Sequence, residues 1–161
     1  MKELGHYLVA CDGYSTVTDV NEGEVENAVE YAIYAGEEDI SYNYSVTYIY
    51  GKISVTPRAI TVTTATSSDE YDGEAHFNTN YANVERLLED LGHYLKARDG
   101  YATVTDVNEG EVENRVEYGI YAGEEDISYN YSVTYIYGSI SVTPRAITVT
   151  TATSSDEYDG E

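Results

Sequence analysis

Residues 4–74 recur at 91–161, an offset of 87, with six differences over 71 aligned positions: Val9/Lys96, Cys11/Arg98, Ser15/Ala102, Ala28/Arg115, Ala32/Gly119 and Lys52/Ser139. Only AHFNTNYANVERLLED, residues 75–90, occurs once. Self-similarity at a fixed period restricts a chain to architectures in which one supersecondary unit is built and then built again. It also bears on function. A catalytic site gains little from a second, nearly identical copy in series, whereas reach, avidity and stacking depend on one.

The seam between units lies in VTPRAITV, residues 55–62. Pro57 has no N–H to give a ladder and ends a central strand, and extended alternating sequence lies on both sides of it. The chain therefore divides into an incomplete repeat over 1–58, a complete repeat over 59–145, and the first strand of a further repeat over 146–161.

Within the complete repeat, strand follows strand. Ile60, Val62 and Thr64 alternate with threonines, and Asp72-Gly73 is a turn pair. Phe77 and Tyr81 belong to a short extended piece. Val84, Leu87, Leu88 and Leu91 fall at helical spacing, with Asn83 as N-cap and Gly92 as stop, which predicts one short helix near 84–91. Residues 93–98 and 101–107 flank Asp99-Gly100 and predict a hairpin. Val112, Asn114, Val116, Tyr118 and Ile120 share one parity; Glu111, Glu113, Arg115 and Glu117 share the other, a half-buried strand with a solvated acidic face. The expected fold class is all-β: a mostly antiparallel, sandwich-like sheet repeat with one short helix.

SYNYSVTYIYG, residues 41–51, sets Tyr42, Tyr44, Val46, Tyr48 and Tyr50 on one parity. Gly51-Lys52 predicts a two-residue type II′ hairpin pairing Tyr50 with Ile53 and Tyr48 with Val55. The second copy repeats this from Tyr129 to Ile140. The parity of both strands favours one buried side, where a tyrosine ring packs while its hydroxyl reaches a partner or water. An exposed sugar-binding platform and a partner interface are the alternatives.

Charge excludes several partners. Formal net charge is −22, from eight Lys+Arg against thirty Asp+Glu. Nucleic-acid binding needs clustered cations, and an anionic membrane repels such a chain. At 42% apolar residues with nineteen tyrosines, the chain is not of disordered composition. A single cysteine allows no internal disulfide, no apolar run approaches the length of a membrane span, and no basic n-region with an apolar h-region opens the sequence as a signal peptide.

Candidate chemistry is sparse. Asp19, Asn21, Gly23, Val25, Asn27 and Glu30 mimic a calcium-loop spacing, but glycine stands at the fifth position rather than the sixth, so a solvated hairpin is the better reading. Glu37-Glu38-Asp39 is an acidic loop suited at most to loose calcium contact. His6 and His93 are equivalent positions without a ligand neighbour, and His76 stands alone. No nucleophile motif is present. The expectation is no enzyme, no catalytic residues, no cofactor and no metal site.

EYDGE after a threonine-rich strand, TDVNEGEVEN, DISYNYSVTYIYG and ISVTPRAITV together resemble the tandem YDG/MBG-type repeats of bacterial cell-surface proteins. The resemblance covers the whole unit 59–145 and both partial ones. It implies an extracellular β repeat in a long stalk or adhesin at the bacterial surface and carries no catalytic residue. The expected function is a non-enzymatic spacer; the alternative is an adhesive module gripping glycan or host protein through exposed tyrosines and acidic loops.

Two features point to self-association. The first strand of a unit stands alone at 146–161, while 1–58 lacks one, so strand complementation between copies is expected. Three of the six copy differences replace a cation: Val9 for Lys96, Cys11 for Arg98, Ala28 for Arg115. Drift on a tolerant surface explains this, as does a covered homo-oligomer contact at Val9, Cys11 and Ala28, where cations would be costly to desolvate. Facing copies would then place two Cys11 thiols together.

Overall fold

The computed structural model describes residues 2–160. The first unit carries β1 (His6–Ala10), β2 (Val25–Glu26), β3 (Tyr31–Ala35), β4 (Glu38–Asp39) and β5 (Lys52–Ile53). The second carries β6 (Arg58–Thr64), β7 (Ser67–Glu70), β8 (Tyr81–Val84), α1 (Leu87–Asp90), β9 (His93–Ala97), β10 (Val112–Glu113), β11 (Tyr118–Ala122), β12 (Glu125–Asp126), β13 (Tyr131–Ile136) and β14 (Ser139–Thr143). The fold is all-β, and α1 is the single short α-helix among the described residues.

Alternation decides which faces are buried. In β6, Ile60, Val62 and Thr64 are buried while Thr61 is exposed. Antiparallel β9 and β11 pair Ile120 with Leu95, and β12 extends that sheet. Ile60, Val62, Leu88, Val116, Tyr118, Ile120 and Ile127 form the core, with Val84, Leu95, Tyr131, Val133 and Tyr135 packed against it. Burying each large apolar side chain of this kind contributes roughly 1.5–3 kcal/mol. Val104, Ile140 and Val142 form a smaller cluster. The expected parity at 111–120 holds: Asn114, Val116, Tyr118 and Ile120 are buried and Glu111, Glu113, Arg115 and Glu117 exposed, although the ladder is interrupted between β10 and β11.

Both predicted hairpins are absent. β9 pairs with β11 rather than with 101–107, so Asp99-Gly100 leads the chain out of one sheet instead of folding it back. β13 and β14 do not pair with each other. β13 runs parallel to β6, from Tyr131↔Arg58 to Ile136↔Thr63, and β14 runs parallel to β7, from Ile140↔Ser67 to Thr143↔Glu70. Gly138 serves close approach, not a type II′ turn. A Cβ there would meet Ala65 O at 2.6 Å and Thr64 O at 2.7 Å. The helix begins later than expected: Asn83 lies in β8, and Arg86 precedes α1. Gly92, at φ +70°, closes it as expected, its N–H donating to Glu89 O.

Asn114 ties these elements together. Its side chain is buried, and Nδ2 donates to Ala65 O (2.8 Å) and Asn78 O (3.0 Å). Thr64 Oγ1 donates to Asn114 O and accepts from Gly138 N–H, both at 2.8 Å. The Asn114 Nδ2 is satisfied in this way, whereas its Oδ1 is buried without a hydrogen-bond partner among the described residues.

Candidate functional site

The first unit repeats the second as far as its own strands allow. β1 pairs with β3 as β9 does with β11, and β2 with β5 as β10 does with β14. Residues 44–49, the counterpart of β13, lie in no strand, and among the described residues no strand lies beside them. The core is correspondingly open. Tyr118 is 5% exposed but its counterpart Tyr31 is 39% exposed, and Val46 and Val55 face solvent. The aromatic row therefore divides: Tyr129, Tyr131, Val133, Tyr135 and Tyr137 are all half-buried in the second unit, while Tyr42, Val46 and Tyr50 are exposed in the first.

Asp19 and Asn130 join the units. Val20 N–H donates to Asn130 Oδ1 at 2.8 Å, and Asn130 Nδ2 donates to Asp19 Oδ1 at 2.7 Å. Asp19 is positioned by a capping box on the 3-10 turn Val20–Glu22: Glu22 Oε1 accepts from the N–H groups of Thr18 and Asp19, both at 2.7 Å. Those bonds hold the Glu22 carboxyl below its ordinary pKa, and the same arrangement lowers Glu109 in the second unit. The calcium-like spacing is thus occupied by a self-satisfied turn. Asn130 sits at the end of the 3-10 turn Ser128–Asn130, which Asp126 fixes through Ser128. Hydrogen bonds from the Ser128 hydroxyl and N–H, in that order, lower Asp126. A cleft of about 390 Å³ lies beside this junction, lined by Asp19, Val55, Arg58, His93, Ile127 and Tyr131. The sequence offered a signal for the junction, Asp-Val-Asn-Glu recurring in both copies, but it reads as a solvated hairpin with a passing likeness to a calcium loop.

Cys11 is exposed with a free thiol, Val9 is exposed on β1, and Ala28 is half-buried in the loop after β2. Their counterparts each have a use. Lys96 lies 6.0 Å over the Tyr121 ring, Arg115 pairs with Glu113 and lies 5.6 Å over Tyr137, and Arg98 Nη2 reaches Asp126 (3.1 Å) and Ser128 (3.2 Å). Two of the copy differences are linked. A Cβ on Gly119 would meet Tyr121 Cε2 at 2.8 Å and Arg98 Nη2 at 3.2 Å; arginine accompanies glycine in the second unit, and Cys11 accompanies Ala32 in the first.

The histidines are held by local partners. His6 Nδ1 bonds the Tyr44 hydroxyl and His93 Nδ1 that of Tyr131, both at 2.6 Å, while His76 lies 2.9 Å from Asp72. Among the described residues no group of three or more His, Cys, Asp or Glu is placed to hold a metal ion, and no helix is long and apolar enough to cross a membrane. Comparison with protein-family models, with curated proteins and with solved structures returns no match to the chain.

Proposed function

We propose that this protein is a non-enzymatic structural repeat that acts as a spacer in a bacterial surface protein, holding a distal element away from the cell. The observation that carries the reading is the Asp19–Asn130 clasp. Both of its halves occur in both copies, as Asp19-Val20 and Asp106-Val107 on one side and Asn43 and Asn130 on the other. A junction whose two faces recur in every unit extends a series without new parts. A net charge of −22 keeps neighbouring rods apart. The resemblance to YDG/MBG-type repeats supplies the extracellular setting. Small-angle scattering tests the shape: a serial array gives a radius of gyration well above the roughly 15 Å of one compact body of this length, and a value near 15 Å removes the spacer reading.

A second reading has its own observation. Tyr94 is largely exposed and stacks on Tyr121, with Lys96 over the same ring, and Tyr7 stacks on Tyr34 in the first unit. Exposed tyrosine faces beside acidic loops suit a glycan or a host protein. Saturable binding on a glycan array, abolished by Tyr94→Ala, would establish adhesion in place of pure spacing.

A further inference from the structure

We infer that residues 145–150 of a second copy of this chain dock as a strand along residues 44–49 of the first unit, parallel to them and in the register that β6 holds on β13. The acceptor sequence, YSVTYI, is identical to β13, and the donor, RAITVT, is identical to the first six residues of β6. Adding 87 to one side of the observed ladder and subtracting it from the other gives Tyr44 opposite Arg145, Val46 opposite Ile147 and Tyr48 opposite Val149. The acceptor is already shaped for this. Tyr44 has φ −125° and ψ 139°, against −129° and 144° at Tyr131.

Each side of the contact lacks what the other carries. Ile60 and Val62 are 1% and 0% exposed, whereas Ile147 and Val149 are 80% and 77% exposed, and residues 144–160 belong to no strand. On the acceptor, Val46, Val55 and Tyr31 stand open where Val133, Val142 and Tyr118 are covered. The polar network is split in the same way. Asn27 N–H bonds Gly51 O at 2.9 Å, as Asn114 N–H bonds Gly138 O at 2.8 Å. Yet Asn27 is exposed, and the groups that partner Asn114 and Gly138, Ala65 O and Thr64 Oγ1, have their counterparts in Ala152 and Thr151 of the donor. Beyond the first ladder, the pairing of β14 with β7 transposes to Ile53 opposite Ser154 and Val55 opposite Asp156.

Donor and acceptor are different surfaces of one chain, so each copy gives a strand and receives one. Contacts of this heterologous kind propagate head to tail. Backbone ladders give such strand addition its affinity, and alternate side chains entering pockets give it register.

Sedimentation equilibrium of the full chain tests this, with reductant to silence Cys11 and about 0.5 M salt to screen the like charge. The expected weight-average mass rises above 17.8 kDa with loading concentration. The double variant Ile147→Asp with Val149→Asp is expected to stay at the monomer mass; both side chains are exposed, so the second unit folds without them. A synthetic peptide of residues 145–161 added to that variant is expected to bind saturably and to slow amide exchange across 44–49. A wild type that sediments as a monomer at every loading overturns the inference, as does a double variant that assembles like the wild type or a peptide that does not bind.

Discussion

Asn130 offers both ends of its amide to the preceding unit, and its Nδ2 donates to Asp19 Oδ1 across 2.7 Å. The geometry needs an acceptor and a donor on one side chain, because Val20 N–H must meet an oxygen while Asp19 must meet an N–H. Replacing Asn130 by Asp presents a carboxylate to Asp19, and replacing it by Ala removes both bonds. With about 1 kcal/mol for each of the two hydrogen bonds, Asn130→Ala is expected to speed amide exchange at Val20 by about thirtyfold. Asn130→Asp is expected to exceed that, with an effect that shrinks as salt rises. Site-resolved hydrogen exchange checks this; unchanged protection at Val20 in both variants would show that the clasp does not hold the units.

Gly138 and Gly51 are the same repeat position in different surroundings. A Cβ on Gly138 meets two carbonyl oxygens within 2.7 Å, while nothing lies within 4 Å of one on Gly51. Gly138→Ala is expected to destabilise the second unit by about 1–3 kcal/mol, and Gly51→Ala to change stability by less than about 0.5 kcal/mol. Urea denaturation followed by tyrosine fluorescence separates them.

Asn114 and Asn27 form a second such pair. Asn114→Ala leaves the half-buried Ala65 O and Asn78 O without that donor and also removes the unpartnered Oδ1, for a net loss of about 1–3 kcal/mol. Asn27→Ala changes an exposed side chain and should be near neutral. Equal losses in the two variants would contradict the assignment of Asn114 as the internal tie.

Arg98 and Gly119 should be coupled. Gly119→Ala presses on Arg98 Nη2 and on the Tyr121 ring, so it is expected to weaken the bonds from Arg98 to Asp126 and Ser128. In Arg98→Cys, which reproduces the first unit's pairing, the alanine should be better tolerated. A double-mutant cycle is expected to give an interaction energy of about 0.5 kcal/mol or more; strict additivity would break the link.

Tyr118 contributes to the loss of stability at alkaline pH. Burial first, and then the neighbouring Tyr135 and Tyr81, push its phenol up to about 12. The folded pKa lies above the ordinary value near 10, so the fold favours the neutral form. That contribution is complete below about pH 10 and declines as pH rises through the folded value. Stability should therefore fall between these limits, and Tyr118→Phe should flatten the decline. The variant also loses the bond to Thr79 O, at about 1 kcal/mol at neutral pH. Denaturation midpoints across pH 9–12 provide the check.

Faces were legible in the sequence, and partners were not. Parity alone places Ile60, Val62, Asn114, Val116 and Tyr118 inside, because a pleated strand sends alternate residues to opposite sides. Pairing failed at both turn dipeptides. Asp99-Gly100 and Gly138-Ser139 satisfy local hairpin chemistry, yet a parallel partner some 73 residues away takes β13, as Val133↔Ile60 shows. Nothing within a short window reports a partner at that distance. The one trace was the repeat itself, which separates the strand of 59–66 from the tyrosine row it covers. The Asp19–Asn130 clasp was hidden for a related reason: its residues share an acidic turn vocabulary with metal loops, and only their distance in space distinguishes the two.

The parallel ladder between β6 and β13 also dictates a timetable. A unit's first strand leaves the ribosome long before the segment it pairs with, so its sheet closes only when most of the unit has been made. Distant pairing of this kind slows folding, since a long loop must be ordered before any contact rewards it. Because RAITVTT appears again at 145–151, a nascent tyrosine row meets two identical candidates, one made early and one made just after it. Tandem units this similar are prone to exchange strands while they form. Sequential synthesis, which delivers the early strand first, is what biases each row toward its own.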